Sequence, residues 1–123
     1  MYPAVDAAQA SPLMPGAAQV QRVAVIGLGY VGLPLAVALA KKFQTIGIDI
    51  DRRRIAELAA GHDRTGEIES ERLEASDLAL LAEPERCPPA DFYIVTVPTP
   101  IDAAKRPDLR MVEAASRTVA AML

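Results

Sequence analysis

Three glycines at a fixed spacing are the residues of this sequence best suited to chemistry. They lie in GLGYVG, residues 27–32, between an apolar run ending at Ile26 and an uncharged run that reaches Lys41. In a strand–turn–helix unit, Gly27 permits the tight turn, Gly29 lets a pyrophosphate approach the backbone, and Gly32 lets the helix pack closely on the strand. The N–H groups and dipole of the helix start then attract phosphates. The spacing predicts a dinucleotide site, and the alternative is a glycine turn with only a structural role.

An acidic residue at the end of the next apolar run strengthens this prediction. Asp49 lies 22 residues after Gly27, close to the roughly 20 expected of the residue that binds the adenosine ribose. A carboxylate there accepts hydrogen bonds from a free 2′-hydroxyl and repels a 2′-phosphate, which favours NAD over NADP. Three arginines at positions 52–54 argue against this preference, because they offer partners to a phosphate. The alternative interpretation is that they form the solvated first turn of a helix.

A third stretch, VPTP at residues 97–100, begins at the last residue of the apolar run FYIVTV. Ligands bind at the carboxyl ends of strands in open α/β sheets, so this loop is expected to border the same crevice. Two prolines restrict its path, and Thr99 offers a hydroxyl. A strand terminator with a turn-forming threonine is an equally good interpretation of the stretch.

The rest of the chain supplies the elements that must position these residues. We predict four strands, at Arg22–Ile26, Thr45–Asp49, Leu78–Leu81 and Asp91–Val97. We predict helices at Gly32–Lys42, at 52–60, at Ser70–Ala75 and from Pro107 onward. Residues Glu83–Ala90 are predicted to form a loop. Asp51 is expected to cap the second helix and Gly61 to end it. Apolar strands without alternation indicate a parallel sheet that is covered on both faces. The fold class is therefore α/β, a Rossmann-type doubly wound parallel sheet, and it is expected to be truncated, since the chain ends on a helix before the last strands of such a fold.

Composition limits the classes of function. The chain has 123 residues, a net charge of −3 and one cysteine, which argues against a nucleic-acid or anionic-membrane partner and fits a reducing compartment such as the cytoplasm. No apolar run reaches the roughly 20 residues of a membrane span. Residues 1–20 contain three prolines and no basic residue, so we expect a disordered extension ahead of a domain at residues 21–123.

Four stretches together resemble the UDP-glucose/GDP-mannose dehydrogenase family. They are GLGYVGLPLA, GIDID, FYIVTVPTPID and RPDL. The segment IDRRRIAELAAGHDRTGEIESERLEAS is most similar to the branch that oxidises UDP-N-acetylglucosamine or UDP-N-acetylgalactosamine at C6 for surface polysaccharides, the Vi-antigen type. The resemblance covers about Arg22 to Leu123.

The resemblance implies an NAD domain followed by a central helical domain and a nucleotide-sugar domain, in a protein that forms homodimers. Such enzymes convert the C6 alcohol to a carboxylate with two NAD molecules in succession, through a catalytic cysteine. That cysteine and the substrate-binding residues would lie beyond residue 123, so this chain alone is expected to be inactive and the sugar cannot be identified. The implied cofactor-binding residues are Gly27, Gly29, Tyr30, Val31, Gly32, Asp49, Arg54, Val97, Pro98 and Thr99.

Two other functions share the glycine pattern. One is a non-catalytic NAD-sensing regulatory module, and the other is a hydroxyacyl-type dehydrogenase, which is not expected to combine GYVGLP with VPTPID. No catalytic residue or metal site is assigned. Cys87 lies before the FYIVTV strand, at the opposite sheet edge from the cofactor, and no His or acid stands at a spacing that would activate it. His62 alone makes no metal site.

Overall fold

A parallel four-stranded sheet forms the centre of the protein. The computed structural model describes residues 21–98, 101 and 104–123. The strands are β1 (Arg22–Ile26), β2 (Gln44–Ile48), β3 (Ala79–Leu81) and β4 (Phe92–Val95), in the order β3-β2-β1-β4. The helices are α1 (Gly32–Leu39), α2 (Arg52–Ala59), α3 (Ser70–Ala75) and α4 (Arg110–Met122), with a single 3-10 turn at Pro84–Arg86. All three strand pairings are parallel, which confirms the predicted fold class.

The faces of β1 explain why the strands show no polar alternation. Val23 and Val25 pack into one apolar cluster with residues of α1, α2 and α3, whereas Ala24 and Ile26 pack into a second cluster with Ala115 of α4. Both faces of β1 are therefore covered, and successive side chains are buried on opposite sides. Helices lie on both faces of the sheet, as in a doubly wound fold.

The predicted helices form with small shifts at their ends. Helix α1 ends at Leu39 and continues as turns, so it is shorter than predicted. Asp51 caps α2 by accepting from the N–H groups of Arg53 and Arg54, and these bonds, that of Arg54 first, lower the pKa of the Asp51 carboxyl. Gly61 follows with a φ of +84°, as expected of a glycine that ends a helix.

Three details of the prediction are wrong. The last strand is not fully buried and does not span Asp91–Val97: it ends at Val95, and Phe92 is 56% exposed. Among the described residues β4 pairs with β1 alone, so it is an edge strand that is covered less completely. Helical spacing also predicts that Ala59 belongs to the apolar face of α2 and Leu109 to that of the last helix, but both residues are exposed. The buried residues of α2 are Arg54 and Leu58, and Leu109 precedes α4.

Candidate functional site

The predicted site residues meet at one edge of the sheet. In sequence, β2 follows β1 and lies on one side of it, while β4 lies on the other. A crevice forms where the order reverses in this way, outside the carboxyl ends of the strands. The glycine turn follows β1, Asp49 follows β2 and Val97 lies just beyond β4, so all three stretches reach this edge.

Two of the three glycines are required by the packing of the turn. Gly27 has a φ of +97°, which is in the left-handed region that favours glycine, and its N–H donates to the Ile48 carbonyl at 2.8 Å. A Cβ on Gly32 would overlap the carbonyl oxygen of Gly27 and the hydroxyl of Thr96. A Cβ on Gly29 would meet no atom within 4 Å. Packing thus explains Gly27 and Gly32, and it does not explain Gly29.

The start of α1 is open to an anion. Val31 occupies the N-cap position without a side-chain hydrogen bond to the helix, and the first turn contains no acidic residue. The first N–H groups of a helix have no partner within it, and here no carboxylate competes for them. The Leu33 N–H donates to the Gly29 carbonyl at 3.2 Å, and Pro34 has no N–H, so an anion would be bound by the N–H groups that precede Leu33. Tyr30 and Val31 are 69% and 67% exposed, so both side chains border the approach to this helix end.

Asp49 is held against the glycine turn. Its Oδ2 accepts from the Leu28 N–H at 3.0 Å, and its Oδ1 accepts from the Asp51 N–H at 3.0 Å. A carboxylate has about four acceptor positions, so two backbone donors leave room for hydroxyl donors. The half-buried Asp49 side chain is thereby fixed in orientation before any ligand binds.

The arginines at positions 52–54 differ from one another. Arg52 forms an exposed ion pair with Glu83 at 3.1 Å, and Arg53 is exposed. Arg54 is only 2% exposed; its Nε donates to the Leu28 carbonyl at 2.7 Å, and its Nη2 lies 2.9 Å from Asp63 Oδ1. The solvated-turn interpretation is therefore wrong for Arg54. Its guanidinium supports the glycine turn from inside the protein, and its direct contact with the ribose or adenine stays a prediction.

The loop after β4 is described in part. Val97 is half-buried and packs against the second apolar cluster, while Pro98 is exposed. Thr99 lies outside the described residues. Both described residues stand at the carboxyl edge, next to the glycine turn, which is where the sequence places them; their role toward a cofactor stays a prediction.

Sequence reasoning missed two polar residues of the site. The Thr96 hydroxyl donates to the Gly27 carbonyl at 2.7 Å and joins β4 to the glycine turn; the signal was a lone hydroxyl in an apolar strand. Asp63 is buried beside Arg54 and accepts from Thr65 N, Thr65 Oγ1, Glu67 N and Ile68 N. The signal there was Asp-x-Thr-Gly, which is typical of a turn closed by a carboxylate.

The ionisation of Asp63 follows from these contacts. Burial by itself raises the pKa of this carboxyl, but hydrogen bonds from Thr65, from Ile68 and from Arg54 outweigh it and bring the pKa to about 2. Asp63 is therefore a carboxylate at neutral pH, and it neutralises the buried Arg54. A buried guanidinium requires such a partner, since an unpaired buried charge is strongly destabilising.

Cys87 lies away from this edge. Cys87 precedes β4, at the amino ends of the strands, and burial raises the pKa of its thiol, which disfavours the nucleophilic thiolate. His62 is exposed. Within residues 21–98, 101 and 104–123, no cluster of three or more His, Cys, Asp or Glu side chains is placed to hold a metal ion. No helix in the same ranges has both the length and the apolar character needed to cross a membrane.

Comparison with known proteins agrees with this geometry. The sequence model of the NAD-binding domain of the UDP-glucose/GDP-mannose dehydrogenase family matches residues 21–123. The chain is 48% identical to UDP-N-acetyl-D-glucosamine 6-dehydrogenase of Salmonella typhi over 103 residues. This alignment covers 83% of the present chain and 24% of that protein. It is 44% identical to protein CapL of Staphylococcus aureus, over 80% of this chain and 23% of CapL.

Solved structures show the same arrangement of strands and helices. The fold matches UDP-D-ManNAc dehydrogenase from Pyrococcus horikoshii with a TM-score of 0.73 and 34% identity, over 84% of this chain and 26% of that one. The chain thus spans about a quarter of the length of the relatives it matches.

Proposed function

The chain belongs to the UDP-glucose/GDP-mannose dehydrogenase family, in the part that forms its NAD-binding domain, and on that premise we propose how it binds NAD. The pyrophosphate lies on the turn of residues 27–32 and at the start of α1, bordered by Tyr30 and Val31. The adenosine ribose donates to Asp49. Arg54, Val97, Pro98 and Thr99 complete the site within a domain of residues 21–123, and residues 1–20 lie outside the described residues.

One observation supports this proposal most strongly. The Asp49 carboxylate is bonded to the backbone of the glycine turn at 3.0 Å, so the predicted ribose acceptor and the predicted phosphate site form one rigid unit. A turn that served only the fold would need Gly27 and Gly32, and would not need an open Gly29 beside an oriented carboxylate.

NAD is favoured over NADP by the charges around this unit. A 2′-phosphate would meet the Asp49 carboxylate, which repels it. Two of the three nearby arginines are already paired, Arg52 with Glu83 and Arg54 with Asp63. Arg54 is also buried, and if it moved to a phosphate it would leave the buried Asp63 carboxylate without its partner.

For the whole protein, we propose a UDP-N-acetylhexosamine 6-dehydrogenase of surface-polysaccharide synthesis, acting in the cytoplasm as a homodimer. NAD, when bound, would supply the hydride acceptor. Oxidation of the C6 alcohol to a carboxylate releases four electrons, so each sugar consumes one water and reduces two NAD. The relatives of 44–48% identity support this substrate class, since one is a UDP-N-acetyl-D-glucosamine 6-dehydrogenase. The substrate and the catalytic groups would bind outside the residues described above.

An activity assay tests this assignment. The protein at its full natural length, given NAD and UDP-N-acetyl-D-glucosamine or UDP-N-acetyl-D-galactosamine, is expected to form two NADH for each sugar acid, and UDP-glucose should react far more slowly. The control is residues 1–123 alone, which should form no NADH with either sugar. NAD binding without NADH formation from any UDP-sugar would contradict the enzyme assignment and would instead fit a regulatory module.

A further inference from the structure

The burial of Arg54 has a specific consequence for the glycine turn. Its Nε donates to the Leu28 carbonyl at 2.7 Å in the protein interior, so that carbonyl points inward. All peptide bonds of the described residues are trans, and in a planar trans peptide the C=O and the following N–H point in opposite directions. The N–H of Gly29 must therefore point outward, towards the edge where the proposed pyrophosphate lies.

The same residue is also held from its amino side. The Leu28 N–H donates to Asp49 at 3.0 Å, and the Leu28 side chain is fully buried. Both polar groups of Leu28 are thus tied to charged side chains, one acidic and one basic. The orientation of the Gly29 peptide depends on the second of these ties, the one to Arg54.

Arg54 is itself held by a turn outside the cofactor loop. Asp63 Oδ1 lies 2.9 Å from Arg54 Nη2, and both side chains are almost completely buried. Four hydrogen bonds from Thr65, Glu67 and Ile68 fix the Asp63 carboxylate in this place. An arginine side chain has many rotamers, and a fixed, buried carboxylate selects the one that reaches Leu28.

We propose that Asp63 is a positioning residue for the cofactor site: by holding Arg54 on the Leu28 carbonyl, it keeps the Gly29 N–H directed at the pyrophosphate. This inference rests on the proposed function. In this relay Asp63 does not touch the cofactor itself, and it lies nine residues beyond Arg54, outside the glycine motif. The turn of residues 63–68 is then part of the cofactor site through this relay.

The test compares ligands with and without a pyrophosphate. Calorimetric titration of the full-length protein gives the Kd of NAD and of adenosine, which shares the Asp49 contact but has no phosphate. Asp63→Asn is expected to raise the Kd of NAD about tenfold, which is the effect of one impaired hydrogen bond to a charged group. The Kd of adenosine is expected to change less than about twofold. Arg54→Met should weaken the binding of NAD by more than that of adenosine, whose loss is limited to its own predicted contact with this side chain. Because Arg54→Met leaves Asp63 with four hydrogen bonds, it tests the relay even if Asp63→Asn does not fold.

Thr65→Val is the matched control. It removes the hydroxyl bond to Asp63 and weakens the turn, but it leaves the ion pair with Arg54 in place. Its unfolding midpoint should fall while its NAD affinity stays within about twofold of the wild type. The relay would be overturned if Asp63→Asn lost affinity for NAD and for adenosine equally, or if Thr65→Val lost affinity for NAD about tenfold. A wild-type protein that fails to bind NAD would instead overturn the proposed function.

Discussion

Replacement of Gly32 by alanine is expected to destabilise the domain by about 3 kcal/mol or more, the upper range for forced overpacking. The added Cβ would overlap the Gly27 carbonyl oxygen and the Thr96 hydroxyl. One of these is backbone in a turn with a positive φ, and the other donates a hydrogen bond to that same carbonyl. Neither can move without separating α1 from the β1 and β4 ends, so a large part of the 5–15 kcal/mol typical of a domain is lost.

Gly29→Ala is the natural control for this experiment. A Cβ there meets no atom within 4 Å, so the unfolding midpoint should stay within the roughly 0.5 kcal/mol range of ordinary surface substitutions. The same methyl would occupy the space through which a pyrophosphate approaches, and NAD affinity should therefore fall. Thermal or urea unfolding of both variants measures the difference. If Gly32→Ala proved as stable as the wild type, the close packing of α1 on the strand ends would be incorrect.

Asp49→Asn is expected to weaken NAD binding about 100-fold, because two hydrogen bonds from the ribose hydroxyls would lose their charged acceptor. The amide also cannot accept from Leu28 and Asp51 with both of its polar atoms, as the carboxylate does. The affinity for NADP should fall far less, since the repulsion between the carboxylate and a 2′-phosphate disappears. The preference for NAD over NADP is thus expected to fall at least about tenfold, as measured by titration with each cofactor.

Asp51→Asn serves as the comparison variant. Asp51 lies two residues away, and asparagine caps a helix about as well as aspartate. The variant therefore changes the local charge equally while leaving the ribose acceptor intact. It should bind NAD within about twofold of the wild type. An Asp49→Asn protein that kept its affinity, or that lost NAD and NADP in equal proportion, would show that the ribose is not bound there.

Much of this arrangement is predictable from short-range patterns. β-Branched runs, the glycine spacing and the Asp51 cap are local signals, and they place β1, α1, β2 and α2 within a few residues of their observed bounds. The sheet edge shared by Gly27 and Asp49 follows from the topology of parallel strands. These features need no knowledge of which side chains meet across the fold.

The parts that escaped prediction depend on contacts between distant segments. Arg54 has the sequence neighbours of a solvated residue, and its burial depends on Asp63 and Leu28, which lie 9 and 26 residues away. Thr96 is seen to bond Gly27 only when β4 is known to lie beside β1. The exposure of Phe92 likewise reflects the edge position of β4, a property of strand order that its own apolar sequence does not reveal.

The central claim, an NAD site built by the glycine turn and Asp49, is tested most directly by the unfolding midpoint of the protein with and without NAD. A ligand that binds only the native state must stabilise it by RT ln(1 + [L]/Kd), about 2.7 kcal/mol at 100 times the Kd. We expect the midpoint to rise steadily with NAD concentration and to rise less with NADP at the same concentrations. A cooperative transition whose midpoint stays unchanged up to millimolar NAD would contradict the account.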